Sequence, residues 1–289
     1  MSAPLVSVVC LCHNQCRFVG EAIQSVLKQT YGNIQLIVVD DASTDESVAQ
    51  IKEAVRGRPT VETLFIDVNT GHCKAFNRAL LLVKGEFIID LAADDVLLAD
   101  RIEEGVKWFQ QAGRDCGVHF SDAEWVDEKG KHLYNHSERY PHETIPTGHI
   151  YKELISRYFI CPPTMMFTKR VMEELRGYDE HLSYEDFDFW IRSSRTFKYG
   201  YTPKILVKKR MVSNSQGRKQ FQLFSRQSKT TYRVCEKIMG LNSSRMEQEA
   251  LSKRLLYEMR LNVRLLNFRM VKKYFTLWNR NRELKYADS

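Results

Sequence analysis

The sequence predicts an α/β protein with a mostly parallel, Rossmann-like sheet flanked by helices, followed by a helical C-terminal extension. Three observations support this prediction. Short apolar, β-branched segments alternate with helix-like segments in the first half of the chain, and polar side chains follow the ends of these segments. Beyond residue 217 the sequence is helical in pattern and strongly basic. Strands that are apolar along their whole length are typical of parallel sheets covered by helices.

The first half of the chain predicts strands and helices in alternation. Strands are expected at 5–12, 34–39, 61–66 and 86–91, and helices at 18–29, after Ser43 or Thr44, and at 72–84. Ser43 or Thr44 is the expected cap of the second helix. The middle section predicts strands near 118–121, 164–167 and 204–207 and a helix near 187–196. Open sheets of this kind bind ligands at the carboxyl ends of their strands.

Composition and cysteine usage describe an ordinary globular protein. The chain has 289 residues, of which 43% are hydrophobic and 27% charged, and this balance excludes a disordered chain. We find no apolar segment of the roughly 18 residues that span a membrane and no basic signal segment, so we expect a cytoplasmic protein. Seven cysteines, an odd number, fit reduced thiols. The cluster at 10–16 contains no Cys-x-x-Cys pair, so we predict no zinc site.

Charge divides the chain into two parts. Residues 1–207 carry 23 Lys and Arg against 30 Asp and Glu, a net charge of −7. Residues 208–289 carry 20 against 6, a net charge of +14. We therefore predict a body at 1–216 and a basic helical extension at 217–289, with the boundary in the polar, turn-prone segment 213–217.

The extension contains apolar residues at helical spacing, predicted to form one stripe. They are Leu256, Met259, Val263, Leu266, Met270, Tyr274 and Leu277. A basic amphipathic helix can lie on an anionic membrane surface. Alternatively, the stripe packs on the body or on a second subunit. The sequence leaves both interpretations open.

Two aspartates, Asp40 and Asp41, follow the second predicted strand. A carboxylate here can accept a hydrogen bond from an imide-type N–H, which uracil and guanine present and cytosine does not. The alternative is a turn in which an aspartate caps the next helix.

A second acidic pair, Asp94 and Asp95, follows the fourth predicted strand. Adjacent carboxylates at a strand end suit Mg²⁺ or Mn²⁺, which takes its other ligands from water and phosphate. Such a cation neutralises the charge that develops on a leaving diphosphate. The alternative is a solvated loop before a helix capped by Asp100, with Glu103 in its first turn.

Acidic and aromatic residues are mixed at 185–190. A carboxylate of this segment, near apolar side chains, could have a raised pKa and act as a general base, and the aromatic residues could stack on a sugar. The alternative is a helix N-terminus where Glu185 and Asp186 favour the helix dipole, while Phe187 and Trp190 pack in the core. Arg210 could hold a diphosphate or belong to a solvated basic run. His13, His72 and His119 are isolated and are treated as ordinary polar residues.

The order of these motifs resembles that of the family 2 glycosyltransferases of the GT-A fold. The resemblance covers about 5–212, and its six blocks follow the family's order; we recognise no family in 218–289. The blocks are Val6-Ser7-Val8-Val9-Cys10-Leu11-Cys12-His13-Asn14, Ile23-Gln24-Ser25-Val26-Leu27-Lys28-Gln29-Thr30, Val38-Val39-Asp40-Asp41-Ala42-Ser43-Thr44-Asp45, Asn69-Thr70-Gly71 with Ala75-Phe76-Asn77 and Lys84-Gly85-Glu86-Phe87-Ile88, Ala93-Asp94-Asp95 with Asp100-Arg101-Ile102, and Glu185-Asp186 with Trp190 and Arg192.

The resemblance implies a nucleotide-sugar-dependent, inverting transfer to a hydroxyl. It divides the body into a nucleotide-binding half at about 1–111 and an acceptor-binding half at about 112–216. On the donor side, Asp41 would read the base and Asp40 would support that loop. Asn14 and Arg210 would complete the nucleotide and diphosphate contacts. A UDP-sugar is favoured over a GDP-sugar.

The resemblance also implies a metal and a base. Asp94 would bind Mn²⁺ or Mg²⁺, supported by Asp95, and Asp186 would deprotonate the acceptor. Glu185 and Trp190 would line the acceptor or sugar pocket. The expected acceptor is a glycan or a lipid-linked glycan in surface polysaccharide biosynthesis, with the enzyme at the inner face of a membrane.

Two departures from the family pattern stand out. Ala92 lies where the metal block usually begins with Asp, and the strand that often ends in Tyr-Arg-x-His here ends in Lys209-Arg210-Met211-Val212. An inactive nucleotide-sugar-binding protein is therefore the alternative function. A dinucleotide-dependent oxidoreductase would need a Gly-x-Gly-x-x-Gly turn after the first strand, and none is present there. The acidic body argues against nucleic-acid binding.

Overall fold

A nine-stranded mixed sheet forms the centre of the protein in the computed structural model, which describes residues 3–212 and 226–286. The predicted boundary at 213–217 lies outside the described residues. Helices cover the sheet, and further helices follow it in the segment from residue 226 to residue 286. No helix in the described parts of the chain combines the length and apolar character needed to span a bilayer.

The first half alternates strands and helices, as its hydrophobic pattern predicts. These elements are β1 (Val6–Cys12), α1 (Val19–Leu27), β2 (Ile34–Asp41), α2 (Ser47–Ala54), β3 (Glu62–Ile66), α3 (His72–Leu80) and β4 (Phe87–Ala92). β1 is buried at every position, because strands lie on both sides of it and helices cover both faces. β3, β2, β1 and β4 are parallel neighbours in that order, so their carboxyl ends lie along one edge.

The second half adds shorter elements and two long strands. These elements are β5 (Val96–Leu97), α4 (Arg101–Gln111), β6 (Cys116–Val126), β7 (His132–Asn135), α5 (His136–Arg139), α6 (Tyr151–Ser156), β8 (Met166–Thr168), α7 (Lys169–Leu175), α8 (Asp186–Ser193) and β9 (Lys198–Arg210). β8 joins β4 to β6 by antiparallel pairing, and β9 runs parallel to β6. β9 is longer than predicted and pairs with β5, which brings Lys208 opposite Val96, just after the acidic pair.

The described part of the C-terminal extension, residues 226–286, contains three helices: α9 (Arg226–Leu241), α10 (Arg245–Arg264) and α11 (Phe268–Glu283). The prediction of one continuous apolar stripe is wrong, because a turn separates α10 from α11. Leu256, Val263 and Leu266 are exposed, whereas Tyr274 and Leu277 are buried. A 3,4 spacing counted across a turn does not keep side chains on one face.

A different face of α10 packs against the body. Arg254 is 2% exposed, and its Nε donates a hydrogen bond to the Ile155 carbonyl at 2.8 Å. Its guanidinium also lies 4.1 Å from the ring centre of Tyr158 and pairs with Glu258. Docking of the extension on the body, one of the two predicted alternatives, is therefore present in this fold.

Candidate active site

Asp41 lies at the end of β2 with its carboxylate almost fully bonded. It accepts hydrogen bonds from the backbone N–H groups of Thr70 and Gly71, both at 2.8 Å, and from the Thr70 hydroxyl at 2.9 Å. A carboxylate offers about four lone-pair positions. One position therefore remains for an N–H group of a ligand.

Asp40 holds the turn that follows it. Its carboxylate accepts hydrogen bonds from the N–H and the hydroxyl of Ser43, at 2.9 and 2.6 Å. The predicted cap is wrong: neither Ser43 nor Thr44 caps a helix, and α2 begins at Ser47. The Ser43 hydroxyl is committed to Asp40 and to the backbone N–H of Asn14 instead.

Asn14 joins the loop after β1 to the loop after β2. Its side-chain oxygen accepts a hydrogen bond from the Thr44 N–H at 2.7 Å, and its φ of 54° lies in a region that asparagine tolerates. A cleft of about 660 Å³ lies beside the second loop, with Asp40, Phe65 and Asp67 among its lining residues. That volume is within the range of small-molecule sites.

Asp94 and Asp95 follow β4, and their carboxylates have different surroundings. Asp95 is 1% exposed; it accepts a hydrogen bond from the Arg210 N–H at 2.9 Å and pairs with Lys209 Nζ at 2.8 Å. Burial raises the pKa of Asp95 to about 6, with Lys209 opposing the rise and Asp94 adding to it. The Asp94 carboxylate has no hydrogen-bond or ion-pair partner among the described residues. Asp94 is thus free to take a ligand, whereas Asp95 anchors the turn.

Arg210 does not fit the predicted diphosphate role. Its side chain is 4% exposed, its Nε donates to the Asp94 carbonyl at 3.0 Å, and its Nη2 pairs with Glu21 at 2.6 Å. The guanidinium also stacks over Phe18 at 5.0 Å. These partners hold it beneath the acidic turn, so its geometry is that of a support.

Lys209 is the cation that faces the site, since neighbouring residues of a strand point to opposite faces. Burial works to lower the pKa of Lys209, but Asp95 and Asp94 raise it above its usual value, so the ammonium stays charged. Burial raises the pKa of both Glu185 and Asp186, and the same charge opposes that rise. The charge of Lys209 therefore acts on both acidic pairs, Asp94-Asp95 after β4 and Glu185-Asp186 at the start of α8.

A second polar cluster joins His72, Asp90 and Glu185. His72 Nε2 lies 3.0 Å from Asp90 Oδ2 and 3.3 Å from Glu185 Oε1, and the Tyr178 hydroxyl donates to the same Asp90 oxygen at 3.0 Å. Burial works to lower the pKa of His72, but Glu185 and Asp90 raise it to about 10. A protonated imidazole therefore bridges two carboxylates. The ligand atoms lie within 4.8 Å of one another, so the same groups could hold a divalent cation.

Asp186 begins α8 beside this cluster. Burial and the neighbouring Glu185 hold the pKa of Asp186 well above its usual range, while His72 and Lys209 oppose the rise. Burial also raises the pKa of Glu185. A carboxylate in such surroundings binds a proton more readily than a free one, which is what a general base requires.

Trp190 does not fit the predicted role in an acceptor pocket. It is 3% exposed, and its indole N–H donates to the Met165 sulfur at 3.1 Å. Its ring lies beside Tyr158, with the centroids 5.7 Å apart. Phe187, three residues earlier, is fully buried. Core packing, the predicted alternative for this pair, matches the geometry.

The segment before Asp186 is held by the extension. The Ser183 N–H donates to the Thr230 hydroxyl at 3.0 Å, and the hydroxyls of Tyr184 and Thr231 lie 2.7 Å apart. Both threonines belong to α9. The extension therefore contacts the two residues that directly precede the Glu185-Asp186 pair.

An ion-pair network holds the other side of the same helix. Lys237 Nζ lies 2.6 Å from the carboxylates of both Asp179 and Asp188. Asp188 is 1% exposed and also pairs with Arg192 Nε at 2.6 Å. α9 and α8 are thus joined through a nearly buried carboxylate.

Comparison with known proteins defines first the class and then the family. The model described as "Glycosyl transferase family 2" matches residues 7–176, more than half of the chain. An uncharacterised glycosyltransferase of Methanocaldococcus jannaschii is 29% identical over 215 residues, covering 73% of this chain and 72% of that protein. Another, of Rickettsia prowazekii, is 27% identical over 213 residues, covering 72% and 64%. The family model and these relatives define the class of the chain as a glycosyltransferase. The chain belongs to glycosyltransferase family 2.

Solved structures confirm the fold. The mannosyltransferase PcManGT from Pyrobaculum calidifontis, in complex with GDP-Man and Mn²⁺, aligns with a TM-score of 0.66 at 15% identity, covering 99% of this chain and 77% of that one. S. aureus TarS 1–349, in complex with UDP-GlcNAc, aligns with a TM-score of 0.65 at 17% identity, covering 98% and 93%. The GT-A type sheet flanked by helices, followed by C-terminal helices, is therefore as predicted.

The residues at the end of β4 fit a divalent cation. Asp94 supplies a carboxylate without a partner among the described residues, and hard cations take oxygen ligands. Although Ala92 lacks the acid usual at that position, strand alternation places Asp90 on the same face of β4. Asp90 Oδ1 is buried and has no hydrogen-bond partner among the described residues. An acidic side chain, Asp90, is therefore present on this face of β4 two residues before Ala92.

Sequence reasoning missed His72, Asp90 and Lys209 as residues of the site. An acid inside an otherwise apolar strand could have indicated Asp90, and strand alternation next to Arg210 could have indicated Lys209. No sequence signal links His72 to Glu185, because only the tertiary structure brings α3 and α8 together.

Proposed function

We propose that this protein transfers a sugar, with inversion, from a nucleotide-sugar to a hydroxyl of a glycan or lipid-linked glycan acceptor in surface polysaccharide biosynthesis. The observation that carries the proposal is the position of Lys209. Its charge acts on Asp95 in the acidic turn after β4 and on Asp186 at the start of α8. The His72 ring also joins the two acidic blocks, since its Nε2 lies 3.0 Å from Asp90 Oδ2 in β4 and 3.3 Å from Glu185 Oε1 beside Asp186.

Each block has a separate role in the proposed reaction. Asp41, with one lone-pair position left, accepts the imide-type N–H of the base. Asp94 would bind a divalent cation, which supplies charge stabilisation at the leaving diphosphate. Asp186 takes the proton of the acceptor hydroxyl. Inversion needs only this one base, unlike the paired carboxylates of a glycoside hydrolase.

A UDP-sugar is the favoured donor. The carboxylate of Asp41 disfavours cytosine but accepts an N–H from either uracil or guanine. The structural relatives bind both kinds of donor, since TarS was solved with UDP-GlcNAc and PcManGT with GDP-Man.

The division of the chain into a nucleotide-binding half, an acceptor-binding half and an extension from 217 is likewise a proposal. We place the enzyme in the cytoplasm at the inner face of a membrane; all seven of its cysteines are free thiols.

Donor hydrolysis tests the proposed function without knowledge of the acceptor. Wild-type protein is incubated with a panel of UDP- and GDP-sugars and Mn²⁺, and the released nucleotide is measured. We expect one donor to be consumed. Asp186→Asn should lower that rate about 10²–10⁴-fold, because a positioned base contributes this much. Asp94→Ala should lower it as well and should weaken the response to added Mn²⁺.

The matched control is Asp115→Asn, which removes an exposed carboxylate of the body. It should turn the donor over like wild type. If neither wild type nor any variant hydrolysed a donor of the panel while UDP still bound, the alternative of an inactive nucleotide-sugar-binding protein would be favoured. Ala92 is the residue that motivates this alternative.

A further inference from the structure

The turn between α10 and α11 presents apolar side chains to solvent. Leu266 and Phe268 are each 62% exposed, and Val263 is 47% exposed. Leu266 has a φ of 53°, a conformation that is costly for a branched side chain. Backbone bonds from Leu266 N–H to the Val263 carbonyl and from Asn267 N–H to the Asn262 carbonyl hold the turn. The fold therefore keeps a strained turn whose apolar side chains point away from the core.

The same turn is surrounded by positive charge. Residues 259–273 contain five basic and no acidic residues. The basic residues are Arg260, Arg264, Arg269, Lys272 and Lys273, and all of them are exposed. None of the five forms an ion pair with another described residue. Exposed apolar side chains among unpaired cations are typical of surfaces that bind anionic membranes.

We propose that the hairpin tip, residues 259–273, docks on a membrane surface that contains anionic lipids. Leu266 and Phe268 enter the headgroup region, while the cations lie at the level of the lipid phosphates. The inner face of the hairpin is already used, because Tyr274 and Leu277 are fully buried. The inference rests on the proposed function in one respect: a lipid-linked acceptor would be found on the same surface.

The charge of the tip argues for a membrane rather than for other partners. In a symmetric dimer through this surface, five cations would face the same five cations of the second copy. A nucleic acid would satisfy the charges but would leave Leu266 and Phe268 without an apolar environment. A membrane with anionic lipids satisfies both features.

Sedimentation of the full chain with vesicles tests the proposal. The vesicles are phosphatidylcholine alone or phosphatidylcholine with about 30% phosphatidylserine. We expect binding only to the second kind, and weaker binding at high salt. The double variant Leu266→Gly, Phe268→Ser should bind about tenfold more weakly. Glycine suits the positive φ at position 266, so this variant should remain folded.

A second pair of variants separates charge from general effects. Arg264→Gln with Arg269→Gln should weaken binding about thirtyfold at low salt, since each cation near an anionic surface contributes on the order of a factor of five. Arg114→Gln with Lys129→Gln removes two exposed cations of the body and should bind like wild type. Far-UV circular dichroism checks the fold of each variant.

Three results would overturn the proposal. They are absent binding of wild type to anionic vesicles, equal binding of wild type and tip variants, and wild-type dimerisation in sedimentation velocity that the tip variants abolish. Donor hydrolysis in the same preparations keeps the two proposals apart. Tip variants that hydrolyse donor but lose vesicle binding support the docking surface. A wild type that binds vesicles but consumes no donor counts against the proposed function alone.

Discussion

The two ends of the candidate site are held in different ways. At the nucleotide end, Asp40 bonds to Ser43 only three residues away, and Asp41 bonds to the loop after the neighbouring strand. At the other end, the helix that begins with Asp186 is held by Lys237 of the extension and lies beside His72 of α3. The proposed donor end therefore depends on bonds within and between neighbouring strand-end loops, whereas the position of the proposed base depends on contacts with the extension and with α3.

Among the contacts that hold the two ends, the largest effect is expected where the extension holds α8. Lys237→Met removes the ammonium that pairs with Asp179 and with the nearly buried Asp188. Because a carboxylate is left without that partner, we expect a loss of about 2 kcal/mol in unfolding free energy. We also expect a fall of about tenfold in kcat with little change in donor KM, because only the base end is disturbed.

Urea unfolding and steady-state donor hydrolysis measure these two effects. Lys253→Met is the control, since Lys253 is exposed and forms no ion pair with a described residue. If Lys237→Met were to raise donor KM and leave kcat unchanged, the contrast between the two ends would be wrong.

A smaller effect is expected at His72, and it depends on pH. The pKa of His72 is about 10 in the folded protein, above its ordinary value of 6.5, because Glu185 and Asp90 outweigh the effect of burial. A raised pKa of a base means that protonation favours the folded state. The resulting stability is complete below pH 6.5 and is lost as pH rises through about 10.

Unfolding free energy measured from pH 6 to 10.5 in the presence of EDTA checks this expectation. Wild type should lose on the order of 1–2 kcal/mol more than His72→Gln across that range, a value reduced for partial solvent exposure. His132→Gln, which removes an exposed histidine paired with Glu124, is the control and should follow wild type. Parallel curves for wild type and His72→Gln would mean that the bridge between the carboxylates does not depend on a proton.

The smallest effect is expected at the nucleotide end. Ser43→Ala removes the hydroxyl that donates to Asp40 and accepts from the Asn14 N–H. The loss of these two partly exposed hydrogen bonds, about 1 kcal/mol together, should raise donor KM about fivefold and leave kcat unchanged. Ser156→Ala, which removes a hydroxyl bonded within α6, should change neither constant. A lower kcat in Ser43→Ala would show that the two ends are coupled.

The sequence predicted the parallel half of the sheet and its acidic strand ends, because buried strands and strand-end polar residues are local patterns. It did not predict the position of Arg210, since burial against Glu21 depends on a distant element, and for Trp190 it left core packing and a sugar pocket both open. The turn at Leu266 was missed for a related reason. A regular spacing of apolar residues continues through it, and no glycine or proline marks the end of α10.

The reactivity of the buried thiols can report how often the sheet unfolds locally. Cys10 and Cys12 lie within the central strand β1, and burial raises the pKa of both thiols, that of Cys12 to about 12. Thiolate, the reactive form, is therefore scarce while the sheet is intact. Alkylating reagents should modify Cys16 and Cys116, which are only half-buried, long before they modify Cys10 and Cys12. The delay between the two classes of thiol reports how often the centre of the sheet opens.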